Sequence, residues 1–211
     1  MWPTDKNRAA WNERYGHTPE AALAGLPDAV RERLPDLTGK HVLTLPCGTG
    51  GAAADLLALG ALVTGIDPSE EALTVARERV PNAAFFQAAL HEIPLQLRRR
   101  RFAVVYAGEG AIARVPELGL FASALAAALR KNGLLILCDR HPVADCVEPV
   151  GLRWREDYFD QSRRRLGQIV TAIVGAGLDL VELEELAPAH KELGDHRIPT
   201  EFVLQATKVS A

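Results

Sequence analysis

The sequence has few cysteines and no long apolar run, and both absences narrow what it can encode. Cys47, Cys138 and Cys146 lack metal-ligand spacing, and their odd number, with no secretion signal before them, argues against a disulfide framework. The amino terminus has no apolar signal core, and no stretch approaches the roughly 20 apolar residues that span a membrane. We therefore expect a cytoplasmic protein without a bound metal or a membrane partner.

A large charge of either sign is also missing. The 24 Lys and Arg residues and the 27 Asp and Glu residues give a net charge of −3, which predicts no general attraction to nucleic acid. The run Arg98–Arg101 precedes a predicted strand at the edge opposite the active end, so we expect it to be a solvated face. The expected partner is a small-molecule substrate, while a protein partner or a homo-oligomer stays open.

Short runs that are apolar throughout alternate with amphipathic helical stretches. The strand candidates are Val42–Leu45, Leu62–Ile66, Ala84–Phe86, Phe102–Tyr106 and Leu134–Leu137. The helices between them include Ala52–Leu59, one that starts at Pro68–Glu71 and buries Leu73, Ala76 and Val80, and one that buries Leu118, Phe121, Leu125 and Leu129 and is closed by Asn132–Gly133. Strands of this kind, each followed by a helix, predict a parallel sheet that is covered on both faces.

The last third of the chain has a different pattern. A loop-like stretch leads to a helix carrying Leu166, Ile169, Val170 and Ile173, and then to strands near Leu178–Leu183 and Thr200–Ala206. A length of 211 residues suits one α/β domain over residues 1–211. We divide it into an N-terminal helical segment of about residues 1–38, a core of about 40–140, and a lid with the C-terminal strands of about 140–211.

The glycine-rich turn after the first predicted strand is the main candidate for a binding site, because ligands of open α/β sheets lie beyond the carboxyl ends of the strands. Pro46–Gly51 forms this turn, and Asp67 ends the second strand. Such a turn, followed about twenty residues later by an acid, predicts an adenosine-containing cofactor whose ribose hydroxyls bind the acid. The alternative is a tight turn with Asp67 as a helix cap.

The spacing Gly48-x-Gly50-x-x-Ala53 also satisfies the dinucleotide fingerprint, so a nicotinamide-dependent oxidoreductase is a third interpretation. That fold normally repeats its βαβαβ half. No second set of crossover helices follows Cys138, which disfavours this interpretation.

Three blocks of the sequence resemble the class I S-adenosylmethionine-dependent methyltransferases. Val42–Gly50 reads V-L-T-L-P-C-G-T-G and resembles their first motif, usually V-L-D-L-G-C-G-T-G. Gly65–Ser69 resembles their second-strand motif, and Phe102–Leu137 resembles their fourth-to-fifth-strand block, with Lys131–Gly133 in place of the usual Arg-Pro-Gly-Gly turn. The resemblance covers residues 40–140. It implies a Rossmann-like three-layer sandwich with a mostly parallel, seven-stranded sheet whose last strand is antiparallel.

The resemblance implies S-adenosyl-L-methionine as the cofactor and assigns a role to each matching position. The turn Pro46, Cys47, Gly48, Thr49 and Gly50 would lie against the methionine part, Asp67 would hold the ribose, and Pro68 and Ser69 would flank the adenine. Ala89 and Leu90 would lie at the adenine edge, and Gly108 and Glu109 beside the sulfonium.

Three positions depart from the family pattern. Thr44 stands where an acid usually helps to bind the cofactor's amino group, Pro46 replaces the first glycine, and Ala89 replaces the acid after the third strand. Losing a hydrogen bond to an ammonium costs about 1.5–3 kcal/mol and losing a neutral one about 1 kcal/mol. We expect a cofactor affinity reduced by roughly tenfold to several hundredfold.

The candidates for catalysis and substrate binding lie in the loops at the same edge. His141, just past the fifth strand, is the first candidate for a general base, and Glu109 would orient substrate or cofactor. Tyr158 and Trp154 are expected in an apolar substrate lid, or else packed on the core. Arg164, within Arg163–Arg165, is a candidate for binding an acidic substrate group, although such a run is often a solvated face.

The expected function is methyl transfer to a small metabolite or natural product. The alternative is a catalytically degenerate methyltransferase-like domain that acts as a binding module or partner protein. The absence of acids at Thr44 and Ala89 favours that alternative.

Overall fold

The computed structural model describes residues 25–98, 102–108, 110–148, 153–161, 163–188 and 196–209. The strands are β1 (His41–Leu45), β2 (Leu62–Asp67), β3 (Ala84–Gln87), β4 (Phe102–Ala107), β5 (Leu129–Arg140), β6 (Asp179–Leu186) and β7 (Glu201–Thr207). The helices are α1 (Asp28–Arg31), α2 (Gly51–Ala58), α3 (Glu70–Arg79), α4 (Leu95–Arg98), α5 (Ala111–Arg114), α6 (Leu118–Ala128) and α7 (Leu166–Gly175), and a 3₁₀ helix spans Pro142–Asp145.

The strands form one sheet of seven in the order β3-β2-β1-β4-β5-β7-β6. Neighbouring strands from β3 to β5 are parallel, whereas β7 is antiparallel to both β5 and β6. The predicted mostly parallel sheet with an antiparallel last strand is therefore confirmed. The chain direction across the sheet reverses between β1 and β4, so the loops that follow these two strands diverge and leave a crevice at their carboxyl ends.

Helices cover both faces of the sheet. On one face, Leu56 of α2 and Leu73 of α3 pack with Val42 of β1. On the other face, Phe121 of α6 and Ile169 of α7 belong to the second buried cluster. The predicted three-layer sandwich is confirmed, and so is the buried stripe formed by Leu73, Ala76 and Val80.

The end of α6 differs from the sequence prediction, which placed the helix stop at Asn132–Gly133. The helix ends at Ala128, and Leu129 is already extended because it pairs with Phe102 of β4. Asn132 does have a left-handed backbone, with φ of 56°. It lies within β5, where its N–H donates to the Lys208 carbonyl at 2.7 Å. The left-handed residue thus interrupts a strand instead of capping a helix.

Some predicted features lie outside the described residues, namely residues 1–24 of the N-terminal segment, Arg99–Arg101 and Glu109. Among the helices that are described, none is both long and apolar enough to cross a membrane.

Candidate functional site

The turn after β1 is tied to the neighbouring strand by its backbone. The Cys47 N–H donates to the Ile66 carbonyl at 2.9 Å, and the Gly50 N–H donates to the Cys47 carbonyl at 3.0 Å. Gly50 has φ of 90°, and a Cβ atom there would lie 3.2 Å from the Val80 side chain and 3.3 Å from Ala76. A glycine is therefore needed at this point both for the backbone conformation and for the close approach of α3.

Asp67 joins the end of β2 to this turn. Its Oδ2 accepts the Gly48 N–H at 2.8 Å and its Oδ1 accepts the Ser69 N–H at 2.9 Å. Burial raises the pKa of Asp67, because the side chain has no exposed surface, and the two N–H donors and the charge of Arg114 oppose that rise. The helix-cap alternative fails in one respect, since the Ser69 side chain caps α3 by accepting the Ala72 N–H.

Whether these residues fit an adenosine cofactor depends on how many further hydrogen bonds the Asp67 carboxylate can accept. An ionised carboxylate has about four acceptor sites, and the described donors take one on each oxygen. Capacity for two ribose hydroxyls is left, in a carboxylate that already fixes the glycine turn. A cofactor reaches it only if the groups that cover Asp67 move aside, because the side chain is fully buried.

The positions that depart from the family pattern include a buried group without a partner. Thr44 is fully buried between β2 and β4, and its Oγ1 makes no hydrogen bond within the described part of the chain. In the loop after β3, Ala89 is half-buried and Leu90 is buried. His91 follows them with 8% exposure, and its Nδ1 likewise has no hydrogen-bond partner among the described residues.

A second aspartate, which the sequence reasoning did not single out, is the last residue but one of β5. Asp139 is 4% exposed, and its Oδ1 accepts the N–H groups of Gly110 at 2.8 Å and of Arg140 at 2.7 Å. Its Oδ2 accepts the Ile112 N–H at 2.8 Å. The loop after β4 is therefore anchored to β5. The available signal was an acid at the last positions of a buried strand, the same place that Asp67 occupies on β2.

His141 lies two residues after Asp139, and its ring contacts Val143 and Glu185. The ring is 4% exposed, its Nδ1 accepts the Val143 N–H at 3.1 Å, and its Nε2 lies 2.9 Å from Oε1 of Glu185. Burial lowers the pKa of His141, and Glu185 opposes the shift. Both ring nitrogens thus face groups of the chain, and the role of His141 as a general base stays a prediction.

The predicted lid aromatics lie on the segment before α7. Trp154 is 65% exposed, whereas Tyr158 is half-buried and its hydroxyl accepts the Leu166 N–H at 3.3 Å. Tyr158 packs edge-on against Phe159, with 5.3 Å between the ring centroids. Tyr158 also lines an open hollow of about 740 Å³ between α6 and α7. Neither aromatic is part of the main core.

The three consecutive arginines before α7 have different environments. Arg163 forms an ion pair with Glu156, and the guanidinium of Arg165 lies over the ring of Phe159 at 5.6 Å. Arg164 donates through Nη2 to the Pro116 carbonyl at 2.5 Å. Arg164 also lines both the hollow described above and a second cavity beside the end of β5.

Comparison with known proteins gives consistent matches. A family model described as a methyltransferase domain matches residues 42–133. The ubiquinone biosynthesis O-methyltransferase of Bradyrhizobium diazoefficiens is 32% identical over 128 residues, which are 59% of this chain and 49% of that protein. The trans-aconitate 2-methyltransferase of Paracidovorax citrulli is 49% identical over 59 residues, 26% of this chain and 22% of that protein.

A solved structure is also similar. An S-adenosylmethionine-dependent methyltransferase of Mesorhizobium loti is 22% identical and superposes with a TM-score of 0.72 over 85% of this chain and 95% of its own. At that identity the match shows a shared fold. This chain spans about half the length, or less, of the two curated relatives named above. The sheet order and these matches leave the nicotinamide interpretation without support.

Proposed function

We propose that this chain, which belongs to the class I S-adenosyl-L-methionine-dependent methyltransferase family, transfers a methyl group from that cofactor to a small molecule. The observation that carries the proposal is the contact between Gly48 N–H and Asp67, which joins the glycine turn to an acid at the carboxyl edge of the sheet. When bound, the cofactor supplies an electrophilic methyl group on a sulfonium.

The residues of the chain would bind and orient the reactants. The turn Pro46–Gly50 would hold the methionine part, and Asp67 the ribose. Asp139 fixes the loop after β4 by accepting the N–H groups of Gly110 and Ile112. The Gly108 N–H in that loop donates to the Leu45 carbonyl at 2.9 Å. Methyl transfer is accelerated chiefly by holding the acceptor atom in line with the donor, so rigid loops at this edge suit the reaction.

Two observations support a small acceptor. The cavities at this edge, of about 520 and 740 Å³, have the size of small-molecule sites. Both relatives are also named after small molecules, one after ubiquinone biosynthesis and the other after trans-aconitate.

Calorimetry with S-adenosylmethionine and S-adenosylhomocysteine tests the cofactor step, and transfer of a labelled methyl group to a panel of small acceptors tests the reaction. We expect one binding site for each compound. Asp67→Ala should weaken both, whereas Asp179→Ala, at an exposed aspartate at the start of β6, should change neither. If the wild-type chain binds neither compound, the proposal is wrong.

The second candidate function is a methyltransferase-like binding module. The fully buried Thr44, whose Oγ1 has no partner in the described chain, favours it, because the family usually has an acid there. A chain that binds S-adenosylhomocysteine, transfers no methyl group to any acceptor and co-purifies with another protein would support this candidate.

A further inference from the structure

A cavity of about 520 Å³ lies between the loop after β4, the end of β5 and the segment before α7. Its described lining is rich in guanidinium groups. The charged residues that line it are Arg114, Arg140, Arg163, Arg164, Asp139 and Asp145. Arginines outnumber carboxylates in this described lining, which favours a negatively charged ligand.

The charges of the lining are not equally compensated. Arg140 pairs with Asp145 at 2.5 Å, and Arg163 pairs with Glu156. Arg164 donates to a neutral carbonyl, and no carboxylate of the described residues lies within 4 Å of it. A guanidinium has five N–H donors, so this bond to Pro116 leaves others for a ligand.

Arg114 connects the cavity to the proposed cofactor site. Its guanidinium lies against the backbone of Gly110, where an added Cβ would come within 2.9 Å of Nη2. The Gly108 N–H in the same loop donates to the Leu45 carbonyl at 2.9 Å, so this loop lies against the end of β1. The charge of Arg114 also opposes the rise in the pKa of Asp67. A ligand in this cavity would therefore lie next to the proposed methyl donor.

The described lining provides cations but no proton acceptor that is not already engaged. Asp139 accepts three backbone N–H groups, Asp145 is paired with Arg140, and His141 is not part of the lining. A neutral hydroxyl or a protonated amine would need a base before it could accept a methyl group. A carboxylate, with a pKa of about 4, is already ionised at neutral pH and needs none.

We propose, on the basis of the methyl-transfer function above, that this cavity binds a small di- or tricarboxylic acid and that one of its carboxylates is methylated. Arg164 binds one carboxylate, and a second one faces the donor. Its oxygen forms a bond to the methyl carbon as the sulfur–carbon bond breaks. The electron pair of that bond stays on sulfur, no proton moves, and the product is a monomethyl ester.

A binding measurement tests the cavity without relying on turnover. Propane-1,2,3-tricarboxylate and glutarate are titrated into the chain saturated with S-adenosylhomocysteine, with the trimethyl ester of the former as a neutral control. We expect Arg164→Gln to weaken carboxylate binding by about ten- to a hundredfold, the range for a lost charged hydrogen bond. Arg130→Gln, an identical change at an exposed residue near the amino end of β5, should have no effect. The S-adenosylhomocysteine affinity and the thermal midpoint of each variant establish that it is folded.

A transfer assay tests the product. Labelled methyl groups on a carboxylate are released as methanol by mild alkali, whereas methyl ethers and methylamines are stable. Alkali-labile product from the tricarboxylate, reduced in Arg164→Gln, supports the proposal. Tricarboxylate binding that is absent, or unchanged in Arg164→Gln, overturns it, and so does alkali-stable methylation of a neutral acceptor in this cavity. In that last case the methyl-transfer function stands, whereas failure to bind S-adenosylmethionine overturns that function too.

Discussion

The same kind of hydrogen bond fixes the loops in both halves of the carboxyl edge of the sheet. On the cofactor side, Asp67 ends β2 and accepts the N–H of Gly48 from the loop after β1. On the proposed acceptor side, Asp139 is the last residue but one of β5 and accepts the N–H groups of Gly110 and Ile112 from the loop after β4. In each half, a buried aspartate at the end of one strand fixes a glycine-containing loop that follows another.

The two aspartates differ in how much hydrogen-bond acceptor capacity remains on each carboxylate. Asp139 accepts three described N–H groups, all of them from the backbone of this chain. Asp67 accepts two, and its pKa is raised by burial, a shift that the charge of Arg114 opposes. A carboxylate whose acceptor sites are mostly taken by backbone N–H groups is suited to a structural role, whereas one with more spare acceptor capacity is suited to a ligand. The family motif includes only the second kind.

The largest expected effect is on the acceptor side. Asp139→Ala should lower the free energy of unfolding by about 3–5 kcal/mol, because three backbone N–H groups lose a charged acceptor at a buried site. Urea unfolding followed by circular dichroism measures this. Asp139→Asn keeps one acceptor oxygen and should lose less. A change below about 1 kcal/mol in the alanine variant would mean that the loop after β4 is held by other contacts.

On the cofactor side, the main effect should be on binding. Asp67→Ala should weaken S-adenosylhomocysteine binding by about 1.5–3 kcal/mol, because both ribose hydroxyls lose a charged acceptor. Calorimetry on the folded variant checks this. The free energy of unfolding should fall less than in Asp139→Ala, because Asp67 accepts two backbone N–H groups and Asp139 accepts three. Unaltered affinity would make Asp67 a purely structural partner of the turn, equivalent to Asp139.

Restoring a family acid should have a smaller, favourable effect. Ala89→Asp should tighten cofactor binding by about 1 kcal/mol, the value of one hydrogen bond to the adenine amino group. Thr44→Asp is the contrasting variant, since a carboxylate at this fully buried position adds a desolvation cost to the chain without cofactor. No gain in affinity from either change would show that other groups or water already replace the missing acids.

The smallest effect is expected at His141. His141→Asn keeps an acceptor for the Val143 N–H and removes the titrating ring. If the acceptor is a carboxylate, turnover should change by less than about threefold, whereas a general base would cost roughly 10²–10⁴. The larger loss would support the base role and contradict the carboxylate acceptor.

The same variant tests the effect of pH on stability. Because burial lowers the pKa of His141 in the fold, the unfolded chain takes up the proton first as the pH falls. The free energy of unfolding should therefore decrease as the pH falls below about 6.5, the ordinary pKa of histidine, and this decrease should be smaller in His141→Asn. Equal slopes for the two proteins would show that other groups govern the titration.

The fold was predictable because its signals are local. Apolar runs such as Phe102–Ala107, buried at every position, mark strands of a parallel sheet, and the spacing of Leu73, Ala76 and Val80 marks a helix face. The helix end predicted at Asn132 was wrong because a residue with a left-handed backbone can either end a helix or interrupt a strand. The hydrogen bond from Asn132 to Lys208 shows that it interrupts a strand. Such contacts between distant residues are invisible to a local pattern.

The site was predictable only in part, because some of its contacts join residues that are far apart in the sequence. The glycine turn and Asp67 lie about twenty residues apart in a recognisable motif, which made them accessible. The role of Asp139 depends on Gly110, 29 positions earlier, and that of Arg164 on Pro116, 48 positions earlier. His141 illustrates the converse. Its place after β5 suggested catalysis, and nothing in its neighbours along the chain revealed that Glu185 lies beside its ring.

The place of β7 in the sheet determines the order in which the chain can be assembled. β6 is made first, yet its only neighbour in the described sheet is β7, which itself must pair with β5. During synthesis β6 therefore has no described strand to pair with until the residues of β7 have left the ribosome. Until then the edge of β5 is open to pairing with another chain. Pairing of β7 thus completes this side of the described sheet, and a nascent chain stalled before Glu201 should be prone to aggregation.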